Sequence, residues 1–225
     1  MGNSLGNINL APGGLFTVKS NGRFKINADQ ITGTSGVQTV IVEADAEFAC
    51  GNADGFSGGN GSSGNSTSIK SDIENIVLTP SSTVSYSRNN NQTITNYAPY
   101  KNLLLSGSGI KTAPAGILSV EGNLAKSGTL VLGHNNGTVL LNGTASQSFA
   151  GLTYNNLVLA NGTKSTDGST TIIDSIKINS FTNLSVSNGD TIILHSDAVK
   201  TARVGQVDGT INYNTTGLFT VERYM

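Results

Sequence analysis

Gln92–Lys111, QTITNYAPYKNLLLSGSGIK, and Gln147–Lys164, QSFAGLTYNNLVLANGTK, carry a glutamine, a tyrosine, an asparagine, an apolar triplet and a lysine in the same order, at offsets of 53 to 55 residues. Near-constant spacing over such a stretch marks an internal repeat, the signature of solenoids, propellers or domain arrays. Around it the chain reads as short alternating segments closed by Gly, Asn, Ser or Asp. They include Leu15–Ile26, Val37–Phe48, Ile73–Leu78, Leu103–Leu105, Thr138–Leu141, Leu157–Leu159, Thr171–Ile178, Thr191–Leu194 and Phe219–Tyr224. That is the pattern of strands and turns. No window carries apolar residues at helical spacing over three turns.

Strands recurring about every ten residues, with loop lengths that drift between the repeat copies, predict an all-β, right-handed parallel β-helix. Coils of roughly 20 residues would give about 11 rungs, about 4.8 Å apart. Asparagines beside turn glycines, as at Asn136-Gly137, Asn142-Gly143 and Asn161-Gly162, suit coil corners. Asn-Gly is also the strongest short hairpin signal, so an antiparallel β-sandwich is the alternative fold.

Charged residues make up 12% of the 225-residue chain, against about 25% in average soluble domains. Asn, Ser, Thr and Gly fill the difference, as on secreted and cell-surface β proteins. A net charge of −1 offers no electrostatic footprint for nucleic acid or an anionic membrane. No run approaches the roughly 20 apolar residues of a membrane-spanning helix, so no membrane insertion is expected. The single cysteine, Cys50, excludes an internal disulfide framework and reads as a small buried residue at a strand end. The first residues lack a basic stretch followed by an apolar core, so a secreted protein of this sequence is expected to be a mature segment or a fragment.

Gly51–Ser68, GNADGFSGGNGSSGNSTS, lacks the apolar content to order itself on a core and reads as a flexible loop or linker. It divides the expected organisation into N-terminal β coils over 1–50, a loop over 51–68 and a β-helix repeat region over 69–225.

Tyr154-Asn155-Asn156-Leu157-Val158-Leu159 with Asn161-Gly162-Thr163-Lys164, and its second copy from Tyr100 to Lys111, resemble a recurring element of large secreted, surface-displayed repeat proteins of Bacteroidetes-type bacteria. Leu118–Leu124 with Gly128–Leu132, and the closing Thr201–Val204 and Phe219–Tyr224, are similar to further phrases of that family, so that the resemblance spans residues 84 to 224. It implies an extracellular or cell-surface polypeptide exported by a type IX secretion route. The sorting domain expected of such exports is not in this sequence, which suggests a piece of a longer polypeptide.

Candidate sites are sparse. Glu43, Asp45 and Glu47 would share one face of a continuous strand, and with Asn52 and Asp54 just beyond they offer hard oxygens for Ca²⁺. A solvated outer face is the simpler reading, and no other cofactor is expected. Tyr86, Tyr97, Tyr100 and Tyr154 could stack on sugar rings, or close coil corners. Asn102 and Asn156 could form an amide ladder between rungs. His134 and His195 read as turn residues; His195-Ser196-Asp197 places triad-type residues side by side, where they do not converge. Lys164, Asp167, Asp174 and Lys177 are the nearest approach to a charge cluster, too dispersed for a lyase, and no catalytic residue is expected.

The reading is therefore a non-enzymatic stalk or adhesin module, with cell-surface glycans or proteins and flanking modules of the same polypeptide as partners. The alternative is a carbohydrate-binding or polysaccharide-degrading β-helix protein.

Overall fold

A computed structural model describes residues 6–34, 36–57, 67–97 and 99–224. The chain is all-β, with no helix among the described residues, and its strands pair in parallel, stacked as a β-solenoid. It divides into two compact units, Met1–Thr112 with Ser127–Leu130, and Ala113–Lys126 with Val131–Met225. Counted over the two units there are about eight turns.

In the first unit, Ile8–Leu10, Leu15–Val18 and Arg23–Ile26 form a three-sided coil that pairs with Ile31–Gly33, Thr39–Val42 and Glu47–Cys50. The next strands, Asn75–Leu78 and Thr83–Tyr86, lie on Thr39–Val42 and Glu47–Cys50, and Asn102–Leu105 lies on Thr83–Tyr86. Corners are turned by left-handed residues, Asn21, Asp45 and Ser81, with φ near +60°. Asparagine and aspartate tolerate that conformation better than other side chains. Inside, aromatic rings form a chain of edge and tilted contacts from Phe16 through Phe24, Phe48 and Phe56 to Tyr100 and Tyr86, with centroids 4.8 to 6.3 Å apart.

The second unit has three faces. One stacks Ile117–Val120, Thr138–Leu141, Asn156–Leu159, Ser175–Ile178 and Arg203–Val207. A second stacks Gln147–Ala150, Thr163–Asp167, Asn183–Val186 and Thr210–Tyr213. The third stacks Thr153–Tyr154, Thr170–Ile172, Thr191–His195 and Leu218–Glu222. Inward positions repeat as aliphatics: Leu118 and Val120, Val139 and Leu141, Leu157 and Leu159, Ile176 and Ile178 are all buried. Burying each is worth about 1.5–3 kcal/mol.

Several expectations are corrected. Parallel pairing removes the sandwich: Asn136 and Asn161 take positive φ at coil corners, not in hairpins. The count of 11 rungs was too high because coils run from 17 residues (Gln147 to Lys164) to 28 (Ser175 to Arg203). The coil that contains Gly51–Ser68 takes 36, from Glu47 to Thr83. Coils on either side of that insertion pair directly and belong to one unit, so it separates no domains. Its residues 58–66 lie outside the described residues, but Phe56 is fully buried between Phe48 and Tyr97 and anchors the near end. Val37–Phe48 is not one strand. Thr39–Val42 and Glu47–Cys50 are separated by a corner at Glu43–Ala46. Cys50 is buried at a strand end, as expected.

Candidate functional site

The two repeat copies build the same buried corner. In each copy the glutamine stands beside the lysine on the next coil, Gln92 against Lys111 and Gln147 against Lys164, all four side chains nearly inaccessible to water. The Gln147 amide donates to the carbonyls of Val120 (2.8 Å) and Gly122 one coil back, while its Oε1 accepts from the Gly143 N–H at 3.2 Å. Lys164 Nζ then donates to the Gly143 carbonyl at 2.7 Å and to that of Asn161. In the other copy Gln92 donates to Cys50 and Asn52, both at 2.9 Å, and accepts from Arg88 N–H at 3.3 Å; Lys111 Nζ donates to Arg88 and Asn90 carbonyls. One backbone residue, Arg88 or Gly143, is thus gripped at both its N–H and its C=O by the repeated pair.

This geometry follows from the corner. A turn between two strands of a coil leaves carbonyls facing inward, and a buried carbonyl without a donor costs about 1–3 kcal/mol. Glutamine supplies two donors and an acceptor on one rigid amide, and lysine three donors at the end of a long apolar stem. Neither ammonium has a carboxylate partner among its hydrogen bonds. Burial lowers both lysine pKa values to about 8; at Lys111 the Cys50 thiol opposes that shift and the Arg88 charge adds to it. The fit is close: a Cβ on Gly143 would stand 1.8 Å from the Glu121 carbonyl oxygen.

Tyrosines complete the corners. Tyr100 Oη donates to the Thr95 carbonyl at 2.8 Å, and Tyr154 Oη donates to that of Ala150 at 2.7 Å. Tyr86 Oη lies 2.7 Å from Tyr100 Oη and accepts from Thr95 N–H at 3.0 Å. Tyr86, Tyr100 and Tyr154 are fully buried, which pushes their phenol pKa values well up, and they offer no ring face to a sugar. Tyr97 is half-buried and donates to the Ile76 carbonyl. The sugar-platform expectation fails for the three buried rings because their side chains lie in the core, Tyr86 and Tyr154 from inward strand positions and Tyr100 from the corner before Asn102.

The carboxylates do not converge. Glu43 is paired with Lys19 at 2.7 Å, and that hydrogen bond, with one from Ser20 N–H, lowers its pKa. Glu47 is paired with Arg23 at 2.8 Å, Asp45 sits at the left-handed corner between them, and Asp54 is exposed in a turn beyond the next strand. Among the described residues no group of three or more His, Cys, Asp or Glu is placed to hold a metal ion.

His195 Nδ1 lies 2.5 Å from Glu222. Ser196 Oγ accepts from Ala202 N–H, and Asp197 accepts from the Val199 and Lys200 N–H groups, so the three neighbours in sequence serve three separate purposes. The amide ladder is also corrected. Asn102 stacks on Thr83, and Asn156 lies between Thr138 and Ser175, because the repeat period exceeds two coils and equivalent residues never meet.

No family model, curated protein or solved structure matches the chain. Gln92, Lys111 and Gln147 are residues to which the sequence reading assigns no role, and Lys164 enters it only as a member of a dispersed charge cluster. Their signal was present, since a polar amide and a cation recurred in step with buried strands.

Proposed function

We propose that this chain is a non-enzymatic structural module, a stalk or adhesin segment, of a secreted or surface-displayed bacterial repeat protein. The observation that carries this reading is that the polar side chains repeated in the sequence are spent on the backbone of adjacent coils. Gln92, Lys111, Gln147 and Lys164 hold carbonyls, and Tyr100 and Tyr154 hold turns. A repeat selected for chemistry would direct such groups outward to a ligand; this one directs them to its own scaffold. The resemblance of Tyr100–Lys111, Tyr154–Lys164 and the closing phrases to type IX-exported repeat proteins supports placing it outside the cell. The right-handed crossover rule for parallel strands supports a right-handed winding.

The test combines location and chemistry. Antibodies raised against the module should label intact cells of its source bacterium, and the purified chain should release no reducing ends or unsaturated products from a panel of acidic and neutral polysaccharides. Cytoplasmic labelling would overturn the placement, and turnover of any polysaccharide would overturn the structural role.

A further inference from the structure

Seven non-glycine residues take positive φ among the described residues, and six of them are Asn, Asp or Ser, whose short polar side chains suit the left-handed region. The seventh is Phe181, at φ 61°. A bulky ring is an outlier in that conformation. The core does not hold it there either: Phe181 is 89% exposed, the most open large hydrophobic residue among those described.

The corner protrudes because it is longer than its neighbours. Asn179 and Asn183 donate their N–H groups to the Leu159 and Gly162 carbonyls of the coil before, at 2.9 and 3.0 Å, which sets them opposite Ala160 and Thr163. Asp208 and Thr210 of the coil after donate to the Ile178 and Thr182 carbonyls, both at 2.9 Å, and so stand opposite the same two asparagines. Residues 180–182 therefore turn a corner that Asn161 and Gly162 turn on one side and Gly209 alone turns on the other, and the extra length carries Ser180 and Phe181 outward. Gly209 passes close against the corner: a Cβ there would stand 2.3 Å from the Thr182 carbonyl oxygen. With a coil on each side, the ring is exposed by its turn and not for want of a neighbour. Strained backbone that persists without a packing reason points to a role outside folding.

The surroundings indicate what the ring meets. The rows beside it are uncharged, Thr163, Asn183 and Thr210 in one and Ser165, Ser185 and Asn212 in the next. Asn183 Oδ1 accepts from Thr210 Oγ1 at 3.0 Å and from Asn212 Nδ2 at 2.6 Å, which leaves the Asn183 NH2 donors and the Asn212 Oδ1 acceptor to solvent. Asp208, exposed at the foot of the corner, disfavours an anionic headgroup or an acidic sugar. A lipid surface would call for further apolar or basic side chains around the ring, and a protein hot spot for a pocket. This face offers amides and hydroxyls.

We propose that the corner is a glycan-binding subsite, in which the face of Phe181 stacks on the apolar C–H face of a neutral pyranose while Asn183, Asn212 and Asp208 meet its hydroxyls. An aromatic ring supplies a large flat apolar surface, and amides and a carboxylate supply the donors and acceptors that adjacent hydroxyls need. The site rests on the adhesin form of the structural-module reading. A chain that binds no sugar, yet labels the cell exterior and turns over no polysaccharide, loses this site and keeps the stalk.

The full chain is titrated with the methyl glycosides of glucose, galactose, mannose and N-acetylglucosamine at millimolar concentration, followed by nuclear magnetic resonance of the Phe181 ring and the Asn183 side-chain amide. At least one should shift both sets of signals, and glucuronic acid should shift neither. Phe181→Asn should weaken that binding about tenfold or more, and should raise the melting temperature by a few degrees because asparagine suits the left-handed corner. Phe181→Tyr should keep the binding. No shift of the ring with any of the four glycosides overturns the proposal, as does undiminished binding by Phe181→Asn. A lower melting temperature for Phe181→Asn assigns the ring to the fold and overturns it too. Flotation with phosphatidylcholine vesicles that Phe181→Asn abolishes overturns it in favour of a lipid surface.

Discussion

Gln147 and Lys164 stand side by side on adjacent coils and grip opposite ends of one peptide residue: Gly143 gives its N–H to the amide and its carbonyl to the ammonium. Gln92 and Lys111 do the same to Arg88.

Gln147→Leu keeps the volume near constant and leaves the Gly122 carbonyl and the Gly143 N–H without their partner, while the Val120 carbonyl keeps the Asn142 N–H. Each group that stays unsatisfied costs about 1–3 kcal/mol. A loss of several kcal/mol is expected in chemical denaturation, against a change within about 0.5 kcal/mol for the outward-facing Ser148→Ala. Equal midpoints for the two variants would remove the amide from the account of the corner.

The lysines predict a pH dependence of a particular sign. Their folded pKa is near 8 and their ordinary value 10.5, so above pH 8 the unfolded chain binds more protons than the folded one. Stability therefore rises with pH across that window, and the cost of the buried charge is fully present below it. Buried Cys50, raised by burial from 9.0, opposes the climb from about pH 9, and buried Tyr86, Tyr100 and Tyr154, raised by burial from 10, reverse the slope once phenols ionise in the unfolded chain. Denaturation midpoints should climb above pH 8, flatten from about pH 9 and fall above pH 10. A chain carrying both Lys111→Met and Lys164→Met should lose the climb and keep the fall; a climb that survives both substitutions would refute the assignment.

Leu159 is fully buried between Leu141 and Ile178, whereas Thr163 sits half-buried at the next strand's start. Leu159→Asp forfeits about 1.5–3 kcal/mol of burial and adds the desolvation of a carboxylate. It should unfold the second unit, while Thr163→Asp lowers the melting temperature only modestly. Comparable melting curves would show the inward register to be misplaced.

With Glu43 and Glu47 held by Lys19 and Arg23, millimolar calcium is expected to leave the melting temperature unchanged, since a ligand stabilises only by binding the folded state. A rise of several degrees, abolished by Glu43→Gln together with Glu47→Gln, would restore the metal reading.

The parallel solenoid was legible because strand length, turn residues and repeat spacing are local properties. The triplets Leu103–Leu105 and Leu157–Leu159 gave the inward alternation correctly, with the outer two of each buried. Coil boundaries were not legible: a corner such as Glu43–Ala46 interrupts a run that alternates without a break in sequence. The roles of Gln92 and Lys111 depend on carbonyls 21 to 42 residues away, a relation that exists only once the coils stack. The tyrosines suited two readings in the sequence, a sugar platform or the closing of coil corners, because a ring fit for stacking is equally fit for a core; burial selects the corners for Tyr86, Tyr100 and Tyr154.

Solenoids are often treated as arrays in which each turn opens independently of all but its neighbour's surface. Here the corner residue Gly143 cannot leave without releasing Gln147, which holds the turn at Val120–Gly122, and Lys164, which holds the turn at Asn161. Opening one turn therefore removes bonds from the turns on both sides. The amides of this stretch should exchange with solvent as a single cooperative block, with protection that does not grade from one turn to the next.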